Sequence, residues 1–327
     1  MRKFVKKFFN KYSAFIINIF LYVTLVTLLL IFINEIFYGF VIWGQAQKNY
    51  LKGEYRSAIP FYNYALNYYS KTAFIKNNQK KYVDGQYLKA ICYLETGDKK
   101  QADLSVKEGT YLIMNKFGQY SKEYAQYIRQ NVVRYYIRKG DYKLAKDYLK
   151  LSEYFYLKVK MERSALVEIN LLYGDWANAI QQKKLAEKYY DMAYSLVTEN
   201  KSIPLDLKLE ATKKAADFKL ISGNFKLAVF MYTKLLDNFQ KDQTATNVQI
   251  AELKWALGNI YFKMAKYETA MTYYDDAYYI ISKLSDSYEL RKNIDELRSE
   301  MVKCYLALGR YYTAEKMQKQ IKVKKTS

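Results

Sequence analysis

Residues 256–278 read ALGNIYFKMAKYETAMTYYDDAY. Leu257, Ile260, Tyr261 and Met264 recur at three- and four-residue steps, and so do Ala270, Tyr274 and Ala277, which makes two amphipathic helices with a break near Ala265 between them. The same arrangement returns in residues 50–66, YLKGEYRSAIPFYNYAL, and in residues 221–236, ISGNFKLAVFMYTKLL. Extending the register in both directions places Ala58, Ala102, Ala145, Ala186, Ala228, Ala270 and Ala314 at equivalent positions, separated by 44, 43, 41, 42, 42 and 44 residues.

Each alanine sits in a fixed local pattern. Five residues before it come Gly53, Gly97, Gly140, Gln181, Gly223, Ala265 and Gly309, and glycine at five of these seven places suits a left-handed helix end. Three residues before it an aromatic is usual, as at Tyr55, Tyr142, Phe225, Tyr267 and Tyr311, with Lys99 and Lys183 as exceptions. Twelve residues before it stand Ala46, Ala90, Val133, Gly174, Ala216, Gly258 and Val302, small or β-branched residues that let two helices approach closely. The fourth copy, LYGDWANAIQQKKLAEKYYDMAY, lacks the turn glycine. With only two prolines and twelve glycines in 327 residues, a sandwich or barrel of many short strands is disfavoured, and the fold class expected is all-α.

These copies resemble the tetratricopeptide repeat (TPR) family over about residues 39–322. The resemblance implies helix–turn–helix units stacked into a right-handed α-solenoid of about seven hairpins with a concave groove. The family's unit is about 34 residues and usually ends in a proline-containing turn, so a pitch near 42 without those prolines demands longer helices or longer connectors. Some family members hold acidic chaperone tails with Lys, Asn and Arg on successive first helices. The corresponding places here are Trp43 and Gln47, Tyr87 and Ile91, Gln130 and Arg134, Lys213 and Asp217, and Trp255 and Asn259, so no contiguous clamp of that kind is present. The expected groove is therefore lined by Tyr87, Ile91, Gln130, Arg134, Lys213, Asp217, Trp255 and Asn259, mixed aromatic, apolar and charged residues suited to an extended or helical peptide. Lys254, by contrast, is expected on the solvent face.

The N-terminus is unlike the rest. Ala14–Ile33 reads AFIINIFLYVTLVTLLLIFI, long enough to cross a bilayer core of about 30 Å as a helix. The expected organisation is a basic flank over 1–13, a transmembrane signal anchor over 14–38, the solenoid over 39–322 and a basic tail over 323–327. Five basic residues precede the apolar run and three follow it closely, so the positive-inside rule puts the N-terminus in the cytoplasm and the solenoid on the extracytoplasmic side, or at the mitochondrial inner membrane if the cell is eukaryotic. The competing reading is a cleaved signal peptide ending at the Gly44/Ala46 small-residue pair, although the run exceeds the usual 7–15 residues and bulky Phe37–Trp43 intervenes. An acid-free Met1–Lys11 also has some character of a mitochondrial presequence.

Candidate chemistry is thin. The chain has no histidine, which excludes His-based acid–base catalysis, Ser-His and Cys-His pairs and His-ligated metals. Cys92 and Cys304, at equivalent repeat positions, are too few for a disulfide framework and read as packing residues. Adjacent Asp275 and Asp276 point in different directions on a helix and read as a solvated face. A formal charge of +21 invites nucleic acid as a partner, but only nine of the 53 basic residues are arginine, the usual fork for base and phosphate, so nucleic-acid binding is not expected. No enzyme activity, cofactor or metal is expected. The reading that follows is a membrane-tethered scaffold that binds a protein or peptide partner in the groove. The alternative is a substrate adaptor or accessory subunit of a membrane-embedded enzyme, such as a protease or an envelope-assembly machine.

Overall fold

A computed structural model describes residues 2–72, 76–200, 202–241, 245–283 and 288–323. Of the expected basic tail only the Val323 backbone falls among the described residues, and the side chains of the basic flank 1–13 lie outside them. The described residues form helices and no strand. In chain order these are α1 (Arg2–Asn34), α2 (Trp43–Leu51), α3 (Tyr55–Lys71), α4 (Lys76–Glu95), α5 (Lys99–Phe117), α6 (Lys122–Tyr127), α7 (Arg134–Lys139), α8 (Tyr142–Lys158), α9 (Arg163–Ala179), α10 (Lys183–Glu199), α11 (Leu205–Ile221), α12 (Phe225–Lys241), α13 (Asn247–Lys263), α14 (Tyr267–Lys283), α15 (Tyr288–Ala307) and α16 (Tyr311–Val323). Two π-helical stretches, Glu35–Ile42 and Ile128–Val133, join α1 to α2 and α6 to α7.

Seven hairpin turns share one backbone solution. At Gly53 the N–H donates to the Tyr50 carbonyl, and the next N–H, of Glu54, reaches back to Asn49. The same two bonds recur at Gly97, Gly140, Gln181, Gly223, Ala265 and Gly309, satisfying carbonyls that a helix end would otherwise leave unpaired. All seven turn residues have positive φ, between 57° and 90°. Glycine takes that conformation without strain, whereas Gln181 at φ 60° and Ala265 at φ 57° hold it with a Cβ. Five residues on, each registered alanine accepts no exposure: six are 0% exposed and Ala314 is 1%. Its N–H makes the first bond of the second helix, to the carbonyl of the residue just after the turn.

The chain divides into two compact units, Met1–Tyr148 and Leu149–Ser327. In the first, α1 passes through the π-helical stretch into α2 with no interruption from Arg2 to Leu51. Tyr38, in that stretch, stacks on Tyr68 of α3 with centroids 4.8 Å apart, and Trp43 meets Tyr62 and Tyr69 edge-on at 5.7 and 5.8 Å. Ala46, Ala58, Tyr62, Leu66 and Cys92 close this core. Upstream, Phe20, Leu25 and Leu28 on α1 are 68, 67 and 65% exposed, and this is the one helix among the described residues long and apolar enough to cross a membrane.

In the second unit the extra residues of the long repeat go into helix length. The helices α9 to α14 each run 17 residues. The starts of α9, α11 and α13 follow one another at 42 and 42 residues, by subtraction of Arg163, Leu205 and Asn247. Asp175 of α9 ties three helices together, accepting the Tyr190 hydroxyl of α10 at 2.6 Å and the Lys214 ammonium of α11 at 2.6 Å. Toward the C-terminus Ala270, Tyr274, Ala277 and Ile281 of α14 pack with Leu297, Met301 and Cys304 of α15. Both cysteines are free and buried, and the Cys304 thiol donates to the Tyr267 carbonyl.

Candidate functional site

In the second unit, the first helices of two successive hairpins bring four of the expected groove residues to one cavity of about 360 Å³. Lys213 and Asp217 come from α11, Trp255 and Asn259 from α13, each pair one helical turn apart and so on one face. The i, i+4 spacing of apolar and small residues on the opposite face, Ala211, Ala215, Leu253 and Leu257, buries the other side of each helix and turns these four outward. Leu220, Tyr232, Ile260 and Ile281 form the apolar floor.

The polar groups there are unevenly satisfied. Tyr274 donates to Asn259 Oδ1 at 2.8 Å, which occupies the amide carbonyl and leaves the amide N–H groups for the cavity. Lys213 and Glu252 approach no closer than 4.0 Å. The indole N–H of Trp255 is buried with no acceptor among the described residues. Asp217 keeps exposed surface, yet burial of its surroundings raises its carboxyl pKa above the ordinary 3.8 despite the opposing charges of Lys213, Lys263 and Lys214. A cavity with both signs of charge, an amide with N–H groups to spare and an apolar floor has the parts that bind a peptide backbone and its side chains.

The other four residues lie in the first unit and are spread along it. Tyr87 on α4 is half-buried, and desolvation raises its hydroxyl pKa while Arg134 and Arg138 lower it. Ile91, one turn further, has 0% exposure and so belongs to the core rather than to a groove surface. Gln130 lies in the π-helical stretch Ile128–Val133 and accepts from Gln126 at 3.1 Å, and Arg134, exposed, is the first residue of α7. Lys254 departs from its expected solvent position: its side chain is only 17% exposed and pairs with Asp276. Glu252 and Lys263 also line the α11/α13 cavity, and no sequence signal singled them out. Among the described residues no group of three or more Cys, Asp or Glu side chains converges to hold a metal ion.

No family model and no curated protein matches the chain. Solved structures do. BtubC (BKLC) from P. vanneervenii superposes with a TM-score of 0.56 at 15% identity, over 73% of this chain and 89% of its own. The apo form of RapI gives 0.56 at 13% identity, over 86% and 75%. A signal-transduction ATPase with numerous domains from Pyrococcus horikoshii, described as carrying a tetratricopeptide repeat sensor, gives 0.58 at 14% identity over 83% of this chain but only 38% of the larger protein. At these identities the likeness is one of architecture: the chain has the all-α, TPR-like solenoid fold.

Proposed function

We propose that this chain is a non-enzymatic scaffold that holds a peptide segment of a protein partner in the α11/α13 cavity and is tethered to a membrane by α1. The observation that carries the reading is the convergence of Lys213, Asp217, Trp255 and Asn259 on one open cavity with an apolar floor, where the Asn259 amide keeps its N–H groups available. An extended peptide supplies carbonyl acceptors at the spacing of its own backbone, and its side chains meet the apolar floor. In the P. horikoshii protein the tetratricopeptide repeats are described as a sensor, a use of this fold for recognition. The tether rests on the exposed apolar length of α1, which needs hydrocarbon around it. Charge asymmetry favours a cytoplasmic N-terminus with the repeats across the membrane.

A photoreactive benzoylphenylalanine at position 213 of the full chain tests the site in native membranes. Adducts to a partner should form there and be lost on Trp255→Ala. A photoreactive residue at Tyr312, which is 81% exposed and far along the sequence, should give none. Equal adducts at both positions, insensitive to Trp255→Ala, would remove the cavity from partner binding.

A further inference from the structure

Tyr190, Tyr232 and Tyr274 hold one register position, four residues after the registered alanine, and all three are buried. In the fourth repeat the Tyr190 hydroxyl donates to Asp175, and in the sixth the Tyr274 hydroxyl donates to Asn259, each time fifteen residues earlier. The fifth repeat carries the fourth repeat's pair, Tyr232 and Asp217, at the same spacing, and here the bond is not made. Among the described residues neither the Tyr232 hydroxyl nor the Asp217 carboxylate has a hydrogen-bond partner. Both line the α11/α13 cavity, and Tyr232 is only 2% exposed. A buried hydroxyl and a carboxylate left open toward one cavity, where sister repeats close the same position internally, point to a group supplied from outside the chain.

The first helices set the charge of that group. The acidic residues of α9, α11 and α13 are Glu168, Asp175, Asp206, Glu210, Asp217 and Glu252. Glu168, Glu210 and Glu252 follow one another at 42-residue steps, Asp175 and Asp217 come two helical turns after the first two, and Asp206 one turn before Glu210. Every acid of these three helices therefore falls on one face of its helix, in a chain whose net charge is +21. A cavity of about 310 Å³ lined by Asp206 and Glu210 shares Lys213 and Asp217 with the α11/α13 cavity, which Glu252 also lines. The cations nearest Asp217 are Lys213, Lys214 and Lys263. Lys214 is engaged by Asp175 at 2.6 Å, Lys213 lies 4.0 Å from Glu252, and none of the three forms an ion pair with Asp217. Burial outweighs all three at the Asp217 carboxyl, so a cation brought into contact would stabilise its charged form.

We propose that the α11/α13 cavity selects its peptide by an arginine side chain, whose guanidinium pairs with Asp217 beside Tyr232 while a neighbouring apolar side chain fills the floor. The proposal rests on the peptide-scaffold reading above and names the residue that the site recognises. Arginine is favoured over lysine because its planar fork donates to two acceptors at once, here the Asp217 carboxylate and the Tyr232 hydroxyl oxygen. It also stacks on an indole such as Trp255, whereas an ammonium is a compact, strongly hydrated point charge.

The test uses the full chain in detergent micelles and a fluorescein-labelled peptide of sequence SALRFS, read by anisotropy, with citrulline in place of arginine as the neutral isostere. The arginine peptide should saturate, and the citrulline peptide should bind about tenfold more weakly or worse. Asp217→Asn should bring the two peptides to equal affinity. Tyr232→Phe, which breaks no hydrogen bond inside the chain, should weaken the arginine peptide about threefold or more. Asp147→Asn, which removes the same charge from an exposed position in the other unit, should leave binding unchanged. Equal binding of the arginine and citrulline peptides, alongside partner adducts at position 213 that vanish on Trp255→Ala, would sink this inference and spare the scaffold reading. Failure of the arginine peptide to bind, or tighter binding of the same peptide with lysine or glutamate in place of arginine, also overturns the proposal.

Discussion

Tyr190 lays its ring so closely across Gly174 that a β-carbon on Gly174 would come within 2.3 Å of Tyr190 Cε1. Gly258 and Tyr274, also sixteen residues apart, repeat the arrangement at 2.5 Å. Small residues twelve before the registered alanine and aromatics four after it are thus two halves of one contact. Where the first is Ala46 or Ala216 the residue at the second place is still tyrosine, whereas with Ala90 it is Val106. The two copies without a turn glycine, turned by Gln181 and Ala265, both keep this lock, and in each the tyrosine also donates to the residue after the glycine, Tyr190 to Asp175 and Tyr274 to Asn259.

Gly174→Ala tests which effect wins. Alanine gains up to about 1 kcal/mol of helix propensity over glycine, but the new methyl meets a ring that is 1% exposed and hydrogen-bonded, so it cannot swing aside. Overpacking of about 1–3 kcal/mol should prevail and lower the urea midpoint. Pairing it with Tyr190→Leu should give a coupling of about 1 kcal/mol in the double-mutant cycle. Strict additivity would show that the two residues do not share the contact.

Gln181 and Ala265 should respond oppositely to the turn glycines. Both hold positive φ with a side chain, which costs about 1–2 kcal/mol, while glycine there gives back about 0.4–1 kcal/mol through the freer unfolded chain. Gln181→Gly and Ala265→Gly are expected to raise stability by about 0.5–1 kcal/mol, and Gly223→Ala to lower it by about 1 kcal/mol. Thermal unfolding of the three variants in one buffer is sufficient to check the signs.

The turns and the alanine register were legible because both are local: a positive φ and a helix contact with no room for a larger side chain each demand a residue type at a fixed spacing. Gln181 and Ala265 were legible by register although neither residue announces a turn. The π-helical stretches were not. EIFYGFVI and IRQNVV have nothing that ordinary helices lack, and a widened turn arises from packing partners such as Tyr68 against Tyr38. The same limit displaced two surface assignments. Ile91 and Lys254 lie on faces that a neighbouring helix covers, and which face a stack covers depends on rotations that a repeat pattern leaves open. In the α11/α13 cavity the i, i+4 pairs were readable from the repeat, whereas Tyr232 entered from the second helix.

Alkaline pH should destabilise the fold. Burial pushes the Cys92 thiol up to about 12 and the Cys304 thiol up to about 11 from an ordinary 9.0. Burial likewise raises the Tyr62, Tyr190, Tyr232 and Tyr274 hydroxyls above 10.0, with Asp175 adding to the shift at Tyr190. Each group holds its proton more tightly folded than unfolded, so the stability it contributes is complete below about pH 9 and is lost as the pH rises beyond the unfolded-state values. Urea midpoints should be flat from pH 7.5 to 8.5 and fall by pH 10.5. In the same range below pH 9, both thiols should resist Ellman's reagent until the chain is denatured, and rapid reaction of either in the folded protein would contradict its burial.

Trp43 decides how the N-terminus is read. Its ring packs against Tyr62 and Tyr69, and a β-carbon on Gly85 of α4 would lie 2.8 Å from its Cζ3, so it is wedged between α3 and α4. Cleavage after Ala46 would remove Tyr38, Trp43 and Ala46 together, taking the π-helical stretch and the first turn of α2 from the first hairpin. Trp43→Ala should cost about 2–3 kcal/mol, below the 3–5 of a fully enclosed aromatic because its side chain keeps some exposure. A chain beginning at Gln47 should lose hydrogen-exchange protection over Tyr55–Lys71, whereas one beginning at Glu35 should keep it. If α1 is a retained tether, an N-terminal tag on the full chain should stay with the membrane pellet through a carbonate wash. Replacing Leu25, Leu28 and Leu29 with lysine should release the chain, since three charges at the centre of a span cost several kcal/mol together. A mature chain that starts at Gln47 and still protects Tyr55–Lys71 would refute both the tether and the role given to Trp43.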